Sequence, residues 1–256
     1  MIHSTAIIDA RAELHPDCDI GPYVVIDGPV QIGRATRVMA HATIAGWTEI
    51  GTENEIHPGA ALGGPPQDKA YRGAETYLKI GDRNVFREYV QVHRGTAPGS
   101  STIIGNENYL MACSHVGHNC RLGDRIVLAN NALLAGYVEV GDGAFISGNC
   151  VVHQFVRVGE LSMMRGLSGA SRDVPPYAIV DWQHTVRSVN AVGLKRAGFE
   201  DKKIRALKEA FRILFRKGKN LKLALAEVEA DAELAREARP LLEFIKSSKR
   251  GVCVGA

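Results

Sequence analysis

Residues 116–163 decide the fold, and they divide into sixes as VGHNCR LGDRIV LANNAL LAGYVE VGDGAF ISGNCV VHQFVR VGELSM. Each six begins with a large apolar residue. The same phase runs from Ile2 to Met164 and fails only at residues 68, 74 and 98. A short, sustained period is typical of repeat architectures, which have to be recognised before secondary structure is assigned. It predicts one small structural unit every six residues.

The position four residues after each large apolar residue is usually small, as at Ala132, Ala144 and Cys150. If both positions point inward and the chain turns every six residues, three short strands make an 18-residue coil that buries its face against the next coil. Glycine often follows the large apolar residue directly, as at Gly117 and Gly159, and we expect positive φ there. The pattern predicts a mainly β fold, a parallel β-helix of hexapeptide repeats. In known proteins such helices are left-handed, against the usual crossover rule.

The period breaks twice and then ends, which predicts the domain organisation. We expect a β-helix over 1–185, with loops at 65–79 and 96–102, followed by an α-helical domain over 186–256. Apolar residues at helical spacing support the second domain, from Ile204 and Leu207 to Phe211 and Phe215. Long loops on a rigid repeat scaffold are common places for function.

The composition excludes several classes of protein. A net charge of +3 gives no global argument for nucleic-acid binding. No apolar run approaches the ~20 residues of a membrane span, and residues 1–10 lack the pattern of a signal peptide. We therefore expect a cytoplasmic protein without an integral membrane segment. Five cysteines without a Cys-x-x-Cys pair indicate reduced thiols rather than disulfides or a structural zinc site.

The candidate site follows from spacing by one coil. His118, Gly136 and Gln154 are 18 residues apart, so they should form a column on one edge, with the outer two ~10 Å apart. A basic side chain, an amide and a glycine N–H in one groove can deprotonate a hydroxyl and stabilise an oxyanion. The alternative is a row of outward, chemically silent residues. His93, His115 and His118 could in principle bind zinc, but their spacing differs from that of the prism-shaped carbonic anhydrases, and we expect no metal and no cofactor.

A basic segment follows the repeats. Residues 195–222 contain eleven Lys and Arg residues and three acidic residues. Such a segment suits an acidic partner or phosphate groups, although it is equally typical of a solvated helix face.

Longer motifs occur in a specific order: NEIHPGAALGGPPQD (54–68), HRGT (93–96), LMACSHVGHNC (110–120), LANNALLAG (128–136), VVHQF (151–155), DVPPYAIV (173–180) and VGLKRAGF (192–199). This order resembles the UDP-N-acetylglucosamine O-acyltransferases that begin lipid A synthesis in Gram-negative bacteria. The resemblance implies a homotrimer that transfers a 3-hydroxyacyl group directly from acyl carrier protein to the 3-position of the sugar of UDP-N-acetylglucosamine.

The resemblance also implies roles for individual residues. His118 matches the general base, and Gly136 matches the backbone N–H that stabilises the oxyanion. The matching substrate-binding residues are Asp68, His115, His153, Gln154, Asn190 and Arg196, the last two near the nucleotide and its phosphates. Met163 and Gly166 match the acyl-chain groove, where glycine leaves room for a longer chain.

Four positions depart from the pattern of that family. Asn119 replaces a common Asp, Tyr137 replaces a His, Ala70 replaces a Lys and Ala197 replaces an Arg. An amide can orient an imidazole but cannot stabilise imidazolium as a charge does. Three alternatives therefore stay open: a 3-amino UDP-sugar as acceptor, coenzyme A as donor, and a catalytically silent scaffold.

Overall fold

The computed structural model describes residues 1–215, 218 and 220–255. The chain winds into a left-handed parallel β-helix with a helical region after it, which confirms the predicted fold class. The first face holds β1 (Ile7–Ile8), β4 (Val25–Asp27), β7 (Thr43–Ala45), β10 (Ala61–Gly64), β13 (Gln91–His93), β16 (His115–Val116), β19 (Leu133–Leu134), β22 (Val151–Val152) and β25 (Gly169–Ala170). The second face holds β2 (Glu13–Leu14), β5 (Val30–Ile32), β8 (Trp47–Ile50), β11 (Tyr77–Ile80), β14 (Ser101–Ile104), β17 (Arg121–Leu122), β20 (Glu139–Val140) and β23 (Arg157–Val158). The third face holds β3 (Asp19–Ile20), β6 (Arg37–Val38), β9 (Glu55–Ile56), β12 (Val85–Phe86), β15 (Tyr109–Leu110), β18 (Val127–Leu128), β21 (Phe145–Ile146), β24 (Met163–Met164), β26 (Ala178–Asp181), β27 (Thr185–Val189) and β28 (Val254–Gly255).

Strand register gives the length of a coil. Leu122 pairs with Val140, and Val140 pairs with Val158, so a regular coil takes 18 residues. Ile50 instead pairs with Ile80, and Ile80 with Ile104. The two loops supply the extra residues. They end at residues 76 and 100, rather than 79 and 102, because β11 and β14 pair along their full lengths.

The interior follows the expected alternation of large and small residues. Leu128 and Ile146 are fully buried, and so are Ala132, Ala144 and Cys150 at the small position. All five cysteines are free thiols, and all but Cys113 are buried. The same burial raises the pKa of the Cys120 thiol to about 12.

The expectation of positive φ at the glycine that follows each large apolar residue is wrong except at Gly63, where φ is 75°. Positive φ occurs two positions later, at non-glycine residues such as Asn119 and Tyr137. Glycine is required for space instead. A Cβ on Gly51 would lie 2.6 Å from the carbonyl oxygen of Gly81 in the next coil, and one on Gly117 would lie 2.8 Å from Gly136 N.

A corner between the second and third faces carries two rows of hydrogen bonds. In the inner row, which we call the amide ladder, Asn54 Oδ1 accepts from Asn84 Nδ2 at 3.0 Å and Asn84 Oδ1 accepts from Asn108 Nδ2 at 2.9 Å. In the outer row, Asp124 Oδ1 accepts from the backbone N–H of Asn106 at 2.7 Å. The coils are therefore joined at this corner by side chains as well as by strands.

The helices are α1 (Ala191–Arg196), α2 (Asp201–Phe215), α3 (Leu221–Ala230), α4 (Ala232–Glu237) and α5 (Arg239–Ser247). They begin after β27, so strand structure continues four residues past the expected boundary at 185, because β27 pairs with β26. Asp173 fastens the end of the chain, since its Oδ2 accepts from Arg157 Nε at 3.1 Å and from Ser248 Oγ at 2.8 Å. In the described residues, no helix is long and apolar enough to span a membrane. Arg216, Lys217 and Lys219 of the basic segment lie outside the described residues.

Candidate active site

His118 lies in the turn between β16 and β17, and its side chain is held by Asn119. Only 6% of the His118 surface is exposed. Its Nδ1 is 3.0 Å from Asn119 Oδ1, and the same oxygen lies 3.0 Å from the backbone N of Thr96. A backbone N–H can only donate, so the shared atom of Asn119 is the acceptor oxygen, and Nδ1 of His118 has to carry the proton. In the neutral ring the lone pair is therefore on Nε2.

Gly136 lies one coil further along the same edge, directly against this ring. The backbone N–H of Tyr137 donates to the carbonyl of His118 at 2.9 Å, which fixes the two turns together. A Cβ on Gly136 would lie 2.5 Å from both Cε1 and Nε2 of His118. The imidazole therefore occupies the space that a side chain at 136 would need. Within the described part of the chain, no acceptor is recorded for the backbone N–H of Gly136.

Asp68 reaches the same place from the first loop. Its Oδ2 is 3.7 Å from Nε2 of His118, and its Oδ1 accepts from the backbone N–H of Ala70 at 2.9 Å. Position 68 is one of the breaks in the six-residue period, so the period could not place it beside His118. The carboxylate of Asp68 thus lies beside Nε2 of His118 at the edge of the prism.

Two further histidines, tilted by 51° to each other, lie near His118. The rings of His93 and His115 lie 5.1 Å apart, and His93 Nδ1 is 2.7 Å from the carbonyl oxygen of Pro65. Burial, with a smaller contribution from the neighbouring imidazoles, lowers the pKa of His115 to about 4. Burial also lowers the pKa of His93. Both rings are therefore neutral near pH 7, which limits the positive charge beside His118.

Aromatic rings form the other wall of the site. Tyr137 meets His118 edge-on at 5.3 Å and stacks on Phe155 at 4.9 Å. Both aromatic side chains are exposed and border a groove of about 430 Å³ whose further lining includes the basic residues Arg121, Arg157, Lys249 and Arg250. Sequence reasoning missed Phe155, although it ends the VVHQF motif, and it had no signal for Lys249 and Arg250.

His153 and Gln154 are exposed at the next turn of the edge. The backbone N–H of Phe155 donates to the carbonyl of Gly136 at 3.2 Å, so this turn stacks directly on Gly136. Nδ1 of His153 is 3.4 Å from Nη2 of Arg250. The expected column of His118, Gly136 and Gln154 is thus joined by main-chain hydrogen bonds.

The remaining candidate residues lie on other elements. Asn190 caps α1, since its Oδ1 accepts from Gly193 N at 3.1 Å while its Nδ2 donates to the carbonyl of Leu161 at 2.9 Å. Arg196 is exposed in the last turn of α1. Met163 is in β24 on the third face, and Gly166 is exposed in the turn after it. Among the described residues, no contact joins these four to His118.

A hexapeptide β-helix with a histidine and a glycine N–H on one edge defines the class of hexapeptide-repeat acyltransferases. Residues 173–253 match the profile of a family described as UDP N-acetylglucosamine O-acyltransferase, domain 2. The chain is 47% identical over 254 residues to the acyl-(acyl-carrier-protein)–UDP-N-acetylglucosamine O-acyltransferase of Syntrophobacter fumaroxidans, covering 98% of both chains. It is 45% identical, with the same coverage, to that of Thermodesulfovibrio yellowstonii.

Solved structures agree with these relatives. The UDP-N-acetylglucosamine acyltransferase of Francisella novicida has a TM-score of 0.94 and 36% identity, covering 99% of this chain and 94% of its own. That of Bacteroides fragilis has a TM-score of 0.94 and 38% identity, covering 98% and 99%. The chain belongs to the family of acyl-(acyl-carrier-protein)–UDP-N-acetylglucosamine O-acyltransferases.

Proposed function

We propose that this protein transfers a 3-hydroxyacyl chain from acyl carrier protein to the 3-hydroxyl of UDP-N-acetylglucosamine, the first step of lipid A biosynthesis. It acts in the cytoplasm, as a homotrimer and without a cofactor. Membership of the family supports the reaction. The observation that carries the mechanism is the tautomer of His118, with the proton on Nδ1 and the lone pair of Nε2 beside Gly136.

The reaction is a direct transfer. Nε2 of His118 removes the proton of the sugar 3-hydroxyl while that oxygen attacks the thioester carbonyl. The backbone N–H of Gly136 donates to the oxyanion of the tetrahedral intermediate. Collapse of the intermediate breaks the carbon–sulfur bond, and the imidazolium returns its proton to the leaving thiolate of the carrier. The ester and the free thiol are the products, and His118 ends in its starting state.

In the family pattern an Asp at position 119 both orients the histidine and carries a negative charge. Here Asn119 orients His118, and Asp68 supplies the negative charge. Asn119 orients the ring through a neutral oxygen, so it does not stabilise imidazolium by charge. Asp68, 3.7 Å from Nε2, is an opposite charge for the imidazolium and an acceptor for a sugar hydroxyl. The carboxylate therefore both attracts the acceptor and stabilises the protonated base.

The other candidates bind the rest of the substrates. Gln154, His153 and His115 lie along the same edge as His118 and contact the sugar. Asn190 and Arg196 bind the nucleotide and its phosphates, and Met163 and Gly166 line the acyl chain. Within one chain these last four residues lie away from His118. In the homotrimer a neighbouring chain brings its own third face and α1, with those residues, to this edge.

His118→Ala in the purified protein tests the proposal. General base catalysis contributes about 10²–10⁴-fold, so we expect at least a hundredfold loss of transfer from acyl carrier protein to UDP-N-acetylglucosamine, with an unchanged melting temperature and oligomeric state. Mass spectrometry of the product identifies the acyl chain. Near-normal turnover by the variant would refute His118 as base, and a wild type with no transfer would favour a silent scaffold.

A 3-amino UDP-sugar is the second candidate acceptor, and the neutral Asn119 favours it. A neutral amine attacks a thioester before it loses a proton, so it needs a weaker base than a hydroxyl does. Turnover with both sugars, and with acyl carrier protein and coenzyme A thioesters as donors, decides between these candidates. A higher kcat/KM for the amino sugar would replace the hydroxyl acceptor in the proposal.

A further inference from the structure

Arg94 is a buried cation beside the first loop. Only 7% of its surface is exposed, and its guanidinium carbon lies 5.6 Å from the ring centroids of both Trp47 and Tyr71. Within the residues that the structure describes, no carboxylate is paired with it, and its Nε has no partner. A buried charge without a carboxylate is costly. The two rings and nearby oxygens compensate only part of this cost, so an apolar side chain would serve packing better.

The side-chain hydrogen bonds of Arg94 join the end of β10 to the first loop. Its Nη1 donates to the carbonyl of Gly63 at 2.7 Å, where the chain leaves the prism. Its Nη2 donates to the hydroxyl of Tyr71 at 2.9 Å, inside the loop. The guanidinium lies against bare backbone at Gly46, where a Cβ would be 2.5 Å from Nη1 and where φ of 68° also favours glycine. Arg94 thus joins the start of the loop to its middle.

Tyr71 passes this restraint on to Asp68. The Tyr71 hydroxyl, which accepts from Arg94, donates to the carbonyl of Ala74 at 2.8 Å. The backbone N–H of Tyr71 donates to the carbonyl of Asp68 at 3.1 Å. Asp68 in turn presents its carboxylate 3.7 Å from Nε2 of His118. A continuous set of contacts therefore runs from Arg94 at the edge of the prism to Nε2 of His118.

We propose that Arg94 and Tyr71 are positioning residues that hold the loop 65–76 so that Asp68 stays beside Nε2 of His118. This inference rests on the proposed function for the role of Asp68, but the restraint of the loop is independent of turnover. Neither residue touches the reacting atoms. Their removal therefore weakens both binding of the sugar nucleotide and the stabilisation of imidazolium by Asp68, while His118 remains the base.

Tyr71→Phe is the informative variant because it keeps the ring over Arg94 and removes only the hydroxyl. Loss of two hydrogen bonds corresponds to about tenfold or more in an equilibrium constant. We expect amide hydrogen exchange in residues 67–76 to rise by about that factor. KM for UDP-N-acetylglucosamine should rise similarly, and kcat should fall because Asp68 no longer stays beside the imidazolium. Tyr89→Phe is the matched control, since Tyr89 is exposed on the prism and its hydroxyl has no recorded partner among the described residues. Arg94→Lys keeps the charge but loses the fork, and we expect the same change in exchange.

The double variant Tyr71→Phe/Asp68→Ala tests whether the effect passes through Asp68. If it does, Tyr71→Phe raises KM no further once Asp68 is gone, because residues that act as a unit are not additive. Unchanged exchange in residues 67–76 of Tyr71→Phe would overturn the restraint, and multiplying KM effects in the double variant would overturn the route through Asp68. Exchange needs no turnover. A wild type that transfers no acyl group would therefore refute the proposed function, while the exchange result would still decide whether Arg94 and Tyr71 hold the loop.

Discussion

Gly136→Ala places one methyl group against the imidazole of His118, the proposed general base. The new carbon would lie 2.5 Å from Cε1 and Nε2 of His118, whereas such atoms normally approach to about 3.5 Å. The ring has to move by about 1 Å. The ring is also held by Asn119 Oδ1 at 3.0 Å and lies 5.3 Å from the ring of Tyr137. Moving it therefore disturbs the geometry that the proposed mechanism requires of Nε2.

A misplacement of about 1 Å costs roughly 10²-fold in rate, and we expect kcat of Gly136→Ala to fall by about that factor. The fold should persist. The φ of Gly136 lies outside the left-handed region, and alanine restricts the unfolded chain more than glycine does. These effects oppose the strain of moving the ring, so the free energy of unfolding should change by less than about 1 kcal/mol.

The assay is turnover with acyl carrier protein thioester and UDP-N-acetylglucosamine, together with thermal melting of each variant. Gly169→Ala is the control, because its added Cβ would meet only Val151 Cγ2, at 3.5 Å. That variant should keep wild-type turnover. A kcat of Gly136→Ala within about threefold of wild type would refute the proposal that the His118 imidazole acts from its position against Gly136.

Three further results are expected. His115 binds a proton near pH 6.5 when unfolded but only near 4 when folded; stability to urea should therefore fall as pH drops from about 6.5 towards 4, and His115→Gln should reduce that loss by on the order of 1 kcal/mol after solvent screening. An unaltered pH dependence would contradict this. Asn84→Ala removes the hydrogen bonds that the buried amides of Asn54 and Asn108 make with Asn84 and should lower the free energy of unfolding by about 3 kcal/mol, against about 1 kcal/mol for the more exposed Asn106→Ala. Equal losses of unfolding free energy in urea would show that the amide ladder contributes no more than the outer row. Asn119→Asp puts a charge on the oxygen 3.0 Å from Nδ1 and should raise kcat for the hydroxyl acceptor severalfold, so a lower kcat would argue against imidazolium formation.

The period alone predicts the coil, the buried positions and the edge shared by His118, Gly136 and Gln154. Each of these depends only on counting residues along a regular backbone. The contact between Asp68 and His118 could not be found that way, because Asp68 lies in a loop that leaves the repeat. A resemblance suggested a role for Asp68, but only the folded loop explains how the carboxylate reaches Nε2.

Two residues illustrate what the sequence hides. Arg94 stands in the HRGT motif, where an arginine on a β-helix edge would ordinarily be solvated, and its burial depends on the bare backbone at Gly46 in another coil. Asn190 matches a nucleotide-binding position, yet within the chain it caps α1 and donates to Leu161. The glycines at 51 and 117 are likewise not explained by the sequence, since close approach between coils, rather than turn conformation, accounts for them.

The main-chain hydrogen bonds that join the turns of His118, Tyr137 and Phe155 have a consequence for how such enzymes diverge. The spacing of the turns along this edge is set by main-chain hydrogen bonds, 2.9 Å and 3.2 Å long, and the side chains of Tyr137 and Phe155 take no part in those bonds. A substitution at 137 therefore leaves these bonds in place, whereas one at 119 also changes the acceptor of the Thr96 N–H. Position 137 can thus vary chemically without altering the main-chain spacing that puts His118 and Gly136 on one edge.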